Sequence, residues 1–183
     1  MSLRGRNNLI DEHFFFVTTT VIQFLPIFTN HKFCNVLIEN IKHYKSKYKF
    51  EILGYVIMSS HFHWIIEVNP KYGTISDIMR DIKKFTAWHI FDLLAKGEDK
   101  IFIEEAKNIK GQQRKLWMNR FDDEVIRNNK MFWTKLKYIH NNPVEAGLVT
   151  KPERYRYSSA RNYVYNDHSV LEVNTKMGGI DMS

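Results

Sequence analysis

The chain has 183 residues, 44% of them apolar, which is enough to bury the core of one domain without metal or disulfide staples. Its single cysteine, Cys34, excludes an intramolecular disulfide and a cysteine-based zinc site, so a metal would have to use histidine, carboxylate or amide ligands, as expected of a reduced, intracellular protein. A net charge of +7 favours polyanionic partners; no apolar run nears the roughly 18 residues of a membrane span, and the polar start MSLRGRNN lacks the apolar stretch of a secretory signal, so a cytoplasmic protein without a membrane partner is expected.

Residues 14–21, FFFVTTTV, are rich in aromatic and β-branched side chains and predict a buried central strand that runs to a turn around Pro26. From Thr29 or Asn30, both good N-caps, to about Tyr48, the residues Phe33, Val36, Leu37, Asn40, Ile41 and Tyr44 recur at helical spacing. A hairpin follows, with strands at 50–58 and 62–68 and Ser59-Ser60 near the turn. Its return strand opens on His61-Phe62-His63. In an extended strand the two imidazoles share one face, while Phe62, Trp64 and Ile66 take the other. Such a pair can hold a metal ion, or it can be two polar positions on a half-buried strand; the spacing alone does not choose.

A second helix is predicted from Thr74 to about Leu94, with Ile75, Ile78, Met79, Ile82, Phe85, Trp88 and His89 on one stripe and Thr74–Asp77 as its N-cap pair. The charged segment 97–113 reads as an insertion. Residues 114–121, RKLWMNRF, predict a further strand or edge segment, and a third helix covers about 128–140. That helix should break at Asn142-Pro143, because the residue before proline avoids the helical region, with a short helix restarting at Pro143 and ending at Gly147. The tail from Thr150 is basic and aromatic, and residues 174–183 look frayed.

This order predicts one α+β domain over 1–183, with its core at about 14–165: a ferredoxin-like antiparallel sheet covered by two helices on one face and by the third helix on the other. If the histidines face the third helix, Tyr138 and Asn142, at i and i+4, share the helix face that meets them. An amide oxygen can complete a two-histidine metal site, and a tyrosine can attack a phosphodiester and carry the phosphoryl group. Tyr138 also fits a packed core residue and Asn142 a helix cap. His140, two residues on, faces away and reads as a surface or capping group.

The blocks HFHWIIEV (61–68), ISDIMRDIKKFTAWHI (75–90), LWMNRF (116–121), YIHNNPVEAGLV (138–149) and PERYRYSSARNYV (152–164) together resemble the HUH single-tyrosine transposases, and most closely the REP-associated tyrosine transposase branch. The resemblance spans about 15–165. It implies that His61 and His63 bind a divalent ion, magnesium or manganese, that Asn142 is the third ligand, and that Tyr138 is the nucleophile. It further implies an enzyme that cuts and rejoins single-stranded or hairpin DNA through a 5′-phosphotyrosine, acting as a monomer or homodimer. Two departures stand out: Ser59-Ser60 replaces the Pro-Asn that precedes the triplet in many relatives, and Trp117-Met118-Asn119-Arg120-Phe121 replaces Trp-Gln-Gly-Arg-Phe.

For DNA contacts, Arg114, Lys115 and Arg120, with Lys135 and Lys137 on the third helix, are candidates for phosphate, and Trp117 or the tail tyrosines for stacking on unpaired bases. Each has a competing reading as a solvated basic face or a core aromatic. Two rival functions remain: a DNA-binding protein of the same fold that no longer cuts, and a ferredoxin-like RNA-binding domain.

Overall fold

A computed structural model describes residues 12–97 and 115–176. Four strands, β1 (Phe14–Thr20), β2 (Glu51–Ile57), β3 (His61–Glu67) and β4 (Asp122–Val125), form one antiparallel sheet in the order β2-β3-β1-β4. The long helices α1 (His31–Tyr48) and α2 (Ile75–Ala95) cover one face, where Phe15, Val17, Phe62, Trp64 and Ile66 meet Phe33, Leu37, Ile41, Ile78 and Ile82. Helix α3 (Asn129–Glu145) covers the other, packing Phe132, Leu136 and Ile139 on Phe16, Leu53, Val56 and Ile65. This is the α+β arrangement expected, with β1 central.

The helix starts are written locally. Asn30 caps α1 by accepting from Lys32 N at 2.9 Å. Thr74 and Asp77 form a reciprocal capping box on α2, with Asp77 N donating to Thr74 Oγ1 at 3.2 Å and Thr74 N to Asp77 Oδ2 at 3.0 Å. Asn128 accepts from Met131 N at the start of α3. No helix among the described residues is long and apolar enough to cross a membrane.

Two expectations are corrected. The fourth strand is Asp122–Val125, not 114–121: within the latter, the described residues form a single bridge, Trp117 to Val21, and Leu116 and Trp117 turn into the core. An aromatic segment can be buried by packing rather than pairing, and composition does not separate the two. Helix α3 does not break before Pro143 but runs through it to Glu145. Proline removes one intrahelical hydrogen bond, that to Ile139 O, but only two helical residues follow it and its ring is buried. Past the C-cap Ala146 the chain turns at Gly147 (φ 69°), with Gly147 N donating to Val144 O and Leu148 N to Pro143 O, both at 2.9 Å.

Two further features set α3 on the sheet. A bulge between Ile52 and Gly54 turns Leu53 and Gly54 toward the same face, and a Cβ on Gly54 would lie 2.5 Å from Leu136 Cδ1. The chain at 157–159 then runs along the outer edge of β2, with Ile57 N donating to Tyr157 O and Ser159 N to Tyr55 O at 2.9 Å. That edge is thereby shielded from other chains. Short helix α4 (Ala160–Tyr165) follows. Of the segment expected as an insertion only Gly97 is described, and of the expected frayed tail only 174–176; the rest of both expectations lies outside the described residues.

Candidate active site

Strand alternation puts His61 and His63 on the α3 face of β3, ring centroids 4.8 Å apart, while Phe62 enters the opposite core. His63 is buried, with 4% of its surface exposed. Its Nδ1 lies 2.8 Å from Thr18 Oγ1 on the adjacent strand, and its Nε2 is buried without a hydrogen-bond partner. Burial, with contributions from His61 and Lys135, pulls its pKa down to about 3. The ring is therefore neutral at physiological pH, as a metal-ligating imidazole must be. His61 is half-buried beside Ser60 Oγ; burial lowers its pKa, partly offset by a hydrogen bond to the Asn142 side chain.

Helix α3 brings Tyr138 to this pair. Its ring sits edge-on to His63 with centroids 5.3 Å apart, and it is 45% exposed, which removes the core-residue reading. Phe16 ties the two together, stacked on His63 at 5.7 Å and edge-on to Tyr138 at 6.1 Å. Asn142, one turn later, is not a cap but lies within the last turn of α3. Its Nδ2 donates to Tyr138 O at 3.1 Å, so its amide oxygen remains for a partner outside the helix, on the side of His61. Tyr138 thus stands beside the histidines of its own chain.

Among the described residues no three of His, Cys, Asp and Glu converge to hold a metal. What the site offers is two neutral imidazoles, one with an unpartnered buried Nε2, and a neighbouring amide. That donor set suits a divalent ion that keeps positions open for phosphate and water.

The other candidates divide. Lys135 lies one turn before Tyr138, pairs with Glu124 on β4 and rests over the Phe16 ring at 4.7 Å. Lys137 is exposed on the same helix. Lys115 and Arg120 flank the segment whose Leu116 O and Met118 N bond to Ile22 N and Thr20 O, at the end of β1 where Thr20 pairs with His61. Arg114 lies outside the described residues. Trp117 is not a stacking platform: it is 5% exposed, packs on Phe28 and Phe62, and donates Nε1–H to Lys83 O at 3.0 Å. The tail tyrosines are likewise structural, with Tyr155 Oη donating to Ile57 O, Tyr163 Oη to Leu53 O, and Tyr157 bonded to His31; Tyr165 is exposed.

His140 corrects another expectation. It faces away from Tyr138, as its spacing requires, but toward protein rather than solvent. Its Nε2 lies 2.8 Å from Ser159 Oγ, its ring packs against Tyr163, and burial holds its pKa down at about 4. Ser159 Oγ also accepts from Tyr55 N at 2.9 Å, so this serine joins α3 to the sheet. Sequence reasoning missed Phe16, Thr18, Glu124 and Ser159. For the first two a signal existed: period 2 along FFFVTTT places both on one face of β1.

Comparison with solved structures finds the same fold in a REP-associated tyrosine transposase bound to a REP hairpin, with TM-score 0.64 and 22% identity over 89% of this chain and 93% of that one. A candidate transposase from Deinococcus radiodurans aligns with TM-score 0.49 and 13% identity, over 77% of this chain and 97% of that one. A search of curated proteins gives no significant match. The family model for IS200-like transposases matches residues 10–142, a span that takes in His61, His63, Tyr138 and Asn142. With nearly three-quarters of the chain matched, the protein belongs to the IS200-like transposase family.

Proposed function

We propose that this chain is a metal-dependent, REP-associated-type transposase that nicks and rejoins single-stranded, hairpin-bearing DNA through a 5′-phosphotyrosine on Tyr138. The observation that carries this reading is the exposed Tyr138 ring set against His63, whose Nε2 is buried and unpartnered. The structure of like fold that is bound to a REP hairpin supports a DNA substrate of that kind.

In this reading His61, His63 and the Asn142 amide would hold magnesium or manganese, which would supply positive charge at the scissile phosphate. Tyr138 Oη forms a bond to phosphorus as the bond from phosphorus to the 3′-oxygen breaks. The phenolic proton passes to water, and the departing 3′-oxygen takes a proton from water. The 5′ end stays on Tyr138. Joining runs in reverse: a 3′-hydroxyl attacks phosphorus, the tyrosyl-oxygen bond breaks, and the phenol regains its proton. Phe16 restricts the tyrosine ring, and Thr18 holds the imidazole of His63. Because one chain contains all four groups, a monomer suffices for the cut.

The test is a denaturing-gel assay with manganese and an end-labelled, hairpin-bearing single-stranded oligonucleotide. A covalent protein–DNA band is expected for the parent chain and none for Tyr138→Phe. Cleavage by Tyr138→Phe would overturn the mechanism. Metal-independent DNA binding without any adduct would favour a protein that binds but no longer cuts, and preference for RNA over DNA would favour the RNA-binding alternative.

A further inference from the structure

One cation is built into the site more closely than a general basic surface requires. Lys135 precedes Tyr138 by three residues, which puts both on the same face of α3, whereas Lys137, next to Tyr138 in the chain, projects about 100° away from it. Lys135 Nζ lies 4.7 Å from the centroid of the Phe16 ring. Phe16 is the ring that stacks on His63 and abuts Tyr138, so one aromatic side chain touches the ammonium, the histidine and the tyrosine.

The ammonium is held there by Glu124. This residue sits directly opposite Phe16 in the β1–β4 register and therefore points to the same face of the sheet. The pair is unequal: the Lys135 side chain is 25% exposed and that of Glu124 is 50% exposed. The lysine is largely enclosed at the site, while its counter-ion stands at the rim, where water and a second anion can compete for it. An exposed carboxylate in such a pair contributes little stability and is readily displaced by a phosphate.

We propose that Lys135 is a catalytic residue that grips a non-bridging oxygen of the scissile phosphate, and that Glu124 is its internal counter-ion, keeping the ammonium in place until the DNA backbone displaces the carboxylate. Phe16 provides the ring over which the ammonium sits and against which the rings of His63 and Tyr138 pack. This assignment rests on the DNA-cleaving reading above and makes the phosphate contact of one lysine part of the reaction rather than of general affinity. It also gives Glu124 a selective role, since only a ligand with enough negative charge at that point takes over Lys135.

The experiment compares variants in single-turnover cleavage of the same hairpin oligonucleotide at saturating DNA and manganese. Lys135→Met is expected to slow adduct formation by about 100-fold, the scale of losing one charge-stabilising group in a transition state, with manganese affinity not reduced. Lys135→Arg should recover most of the rate. Glu124→Gln should tighten DNA binding by removing the competitor. The exchanged pair Lys135→Glu/Glu124→Lys restores an ion pair and should melt near the parent, yet should cleave as poorly as Lys135→Met. Cleavage by Lys135→Met within threefold of the parent, parental cleavage by the exchanged pair, or weaker DNA binding by Glu124→Gln would each overturn the proposal. None of those results would restore an adduct to Tyr138→Phe, so they leave the phosphotyrosine reading to its own test.

Discussion

Thr18 Oγ1 lies 2.8 Å from Nδ1 of His63, across the β1–β3 pairing that sets the two residues directly opposite. When Nδ1–H donates to the hydroxyl, the lone pair of the imidazole is on Nε2, the atom left buried and unpartnered beside Tyr138. A threonine hydroxyl thereby orients the ring of a proposed metal ligand, the role a carboxylate or carbonyl more often plays. Thr18→Val keeps the shape and removes the bond. It is expected to weaken manganese binding about 10- to 100-fold while the chain still folds, read by calorimetric titration of parent and variant. Unchanged affinity would show that the bond does not orient the ring.

Trp117 separates a structural from a DNA-contact role. With the ring buried against Phe28 and Phe62 and Nε1–H bonded to Lys83 O, Trp117→Ala should cost about 3–5 kcal/mol of stability, measured by denaturant unfolding. A variant as stable as the parent but deficient in oligonucleotide binding would restore the stacking role.

The buried histidines make the fold acid-sensitive. His140 has its pKa lowered by burial from 6.5 to about 4. Above pH 6.5 it is neutral whether folded or not, so it adds no pH dependence. As pH falls below that value the unfolded chain takes up a proton that the folded chain refuses, and stability declines until about pH 4, by up to roughly 3 kcal/mol for this group. His63, lowered to about 3, acts in the same direction. Metal-free protein should therefore unfold at lower denaturant concentration at pH 5 than at pH 7.5. His140→Gln should narrow the gap; an equal gap in parent and variant would remove His140 as its source.

Gly54 tests how tightly α3 must sit. A Cβ there would come within 2.5 Å of Leu136 Cδ1, two residues before Tyr138. Gly54→Ala is expected to destabilise by about 1–3 kcal/mol through overpacking and to slow adduct formation, because the leucine that must yield belongs to the helix carrying Tyr138, the proposed nucleophile. Adding Leu136→Val should return part of both losses. A Gly54→Ala variant that keeps full stability and rate would show that the leucine end moves without the helix.

The amino-acid sequence by itself determined what is local or periodic. Alternation put His61 and His63 on one face with Phe62 in the opposite core, and the 3.6-residue turn put Tyr138 and Asn142 on a common face. Thr29 or Asn30 and the Thr74–Asp77 box marked helix starts, because a capping side chain bonds a backbone only two or three residues away, and the structure chose Asn30 of the first two. Tertiary structure alone decided the rest. The pairing of Thr18 with His63 and the placing of Glu124 opposite Phe16 depend on strand register between segments remote in sequence. Pro143 stays helical because the helix ends just beyond it with its ring buried, and Trp117 and His140 face protein because of what packs against them. Local rules rank conformations of a short segment; burial, and with it the neutral imidazole and the caged lysine, is set by which distant segments fill the space beside it.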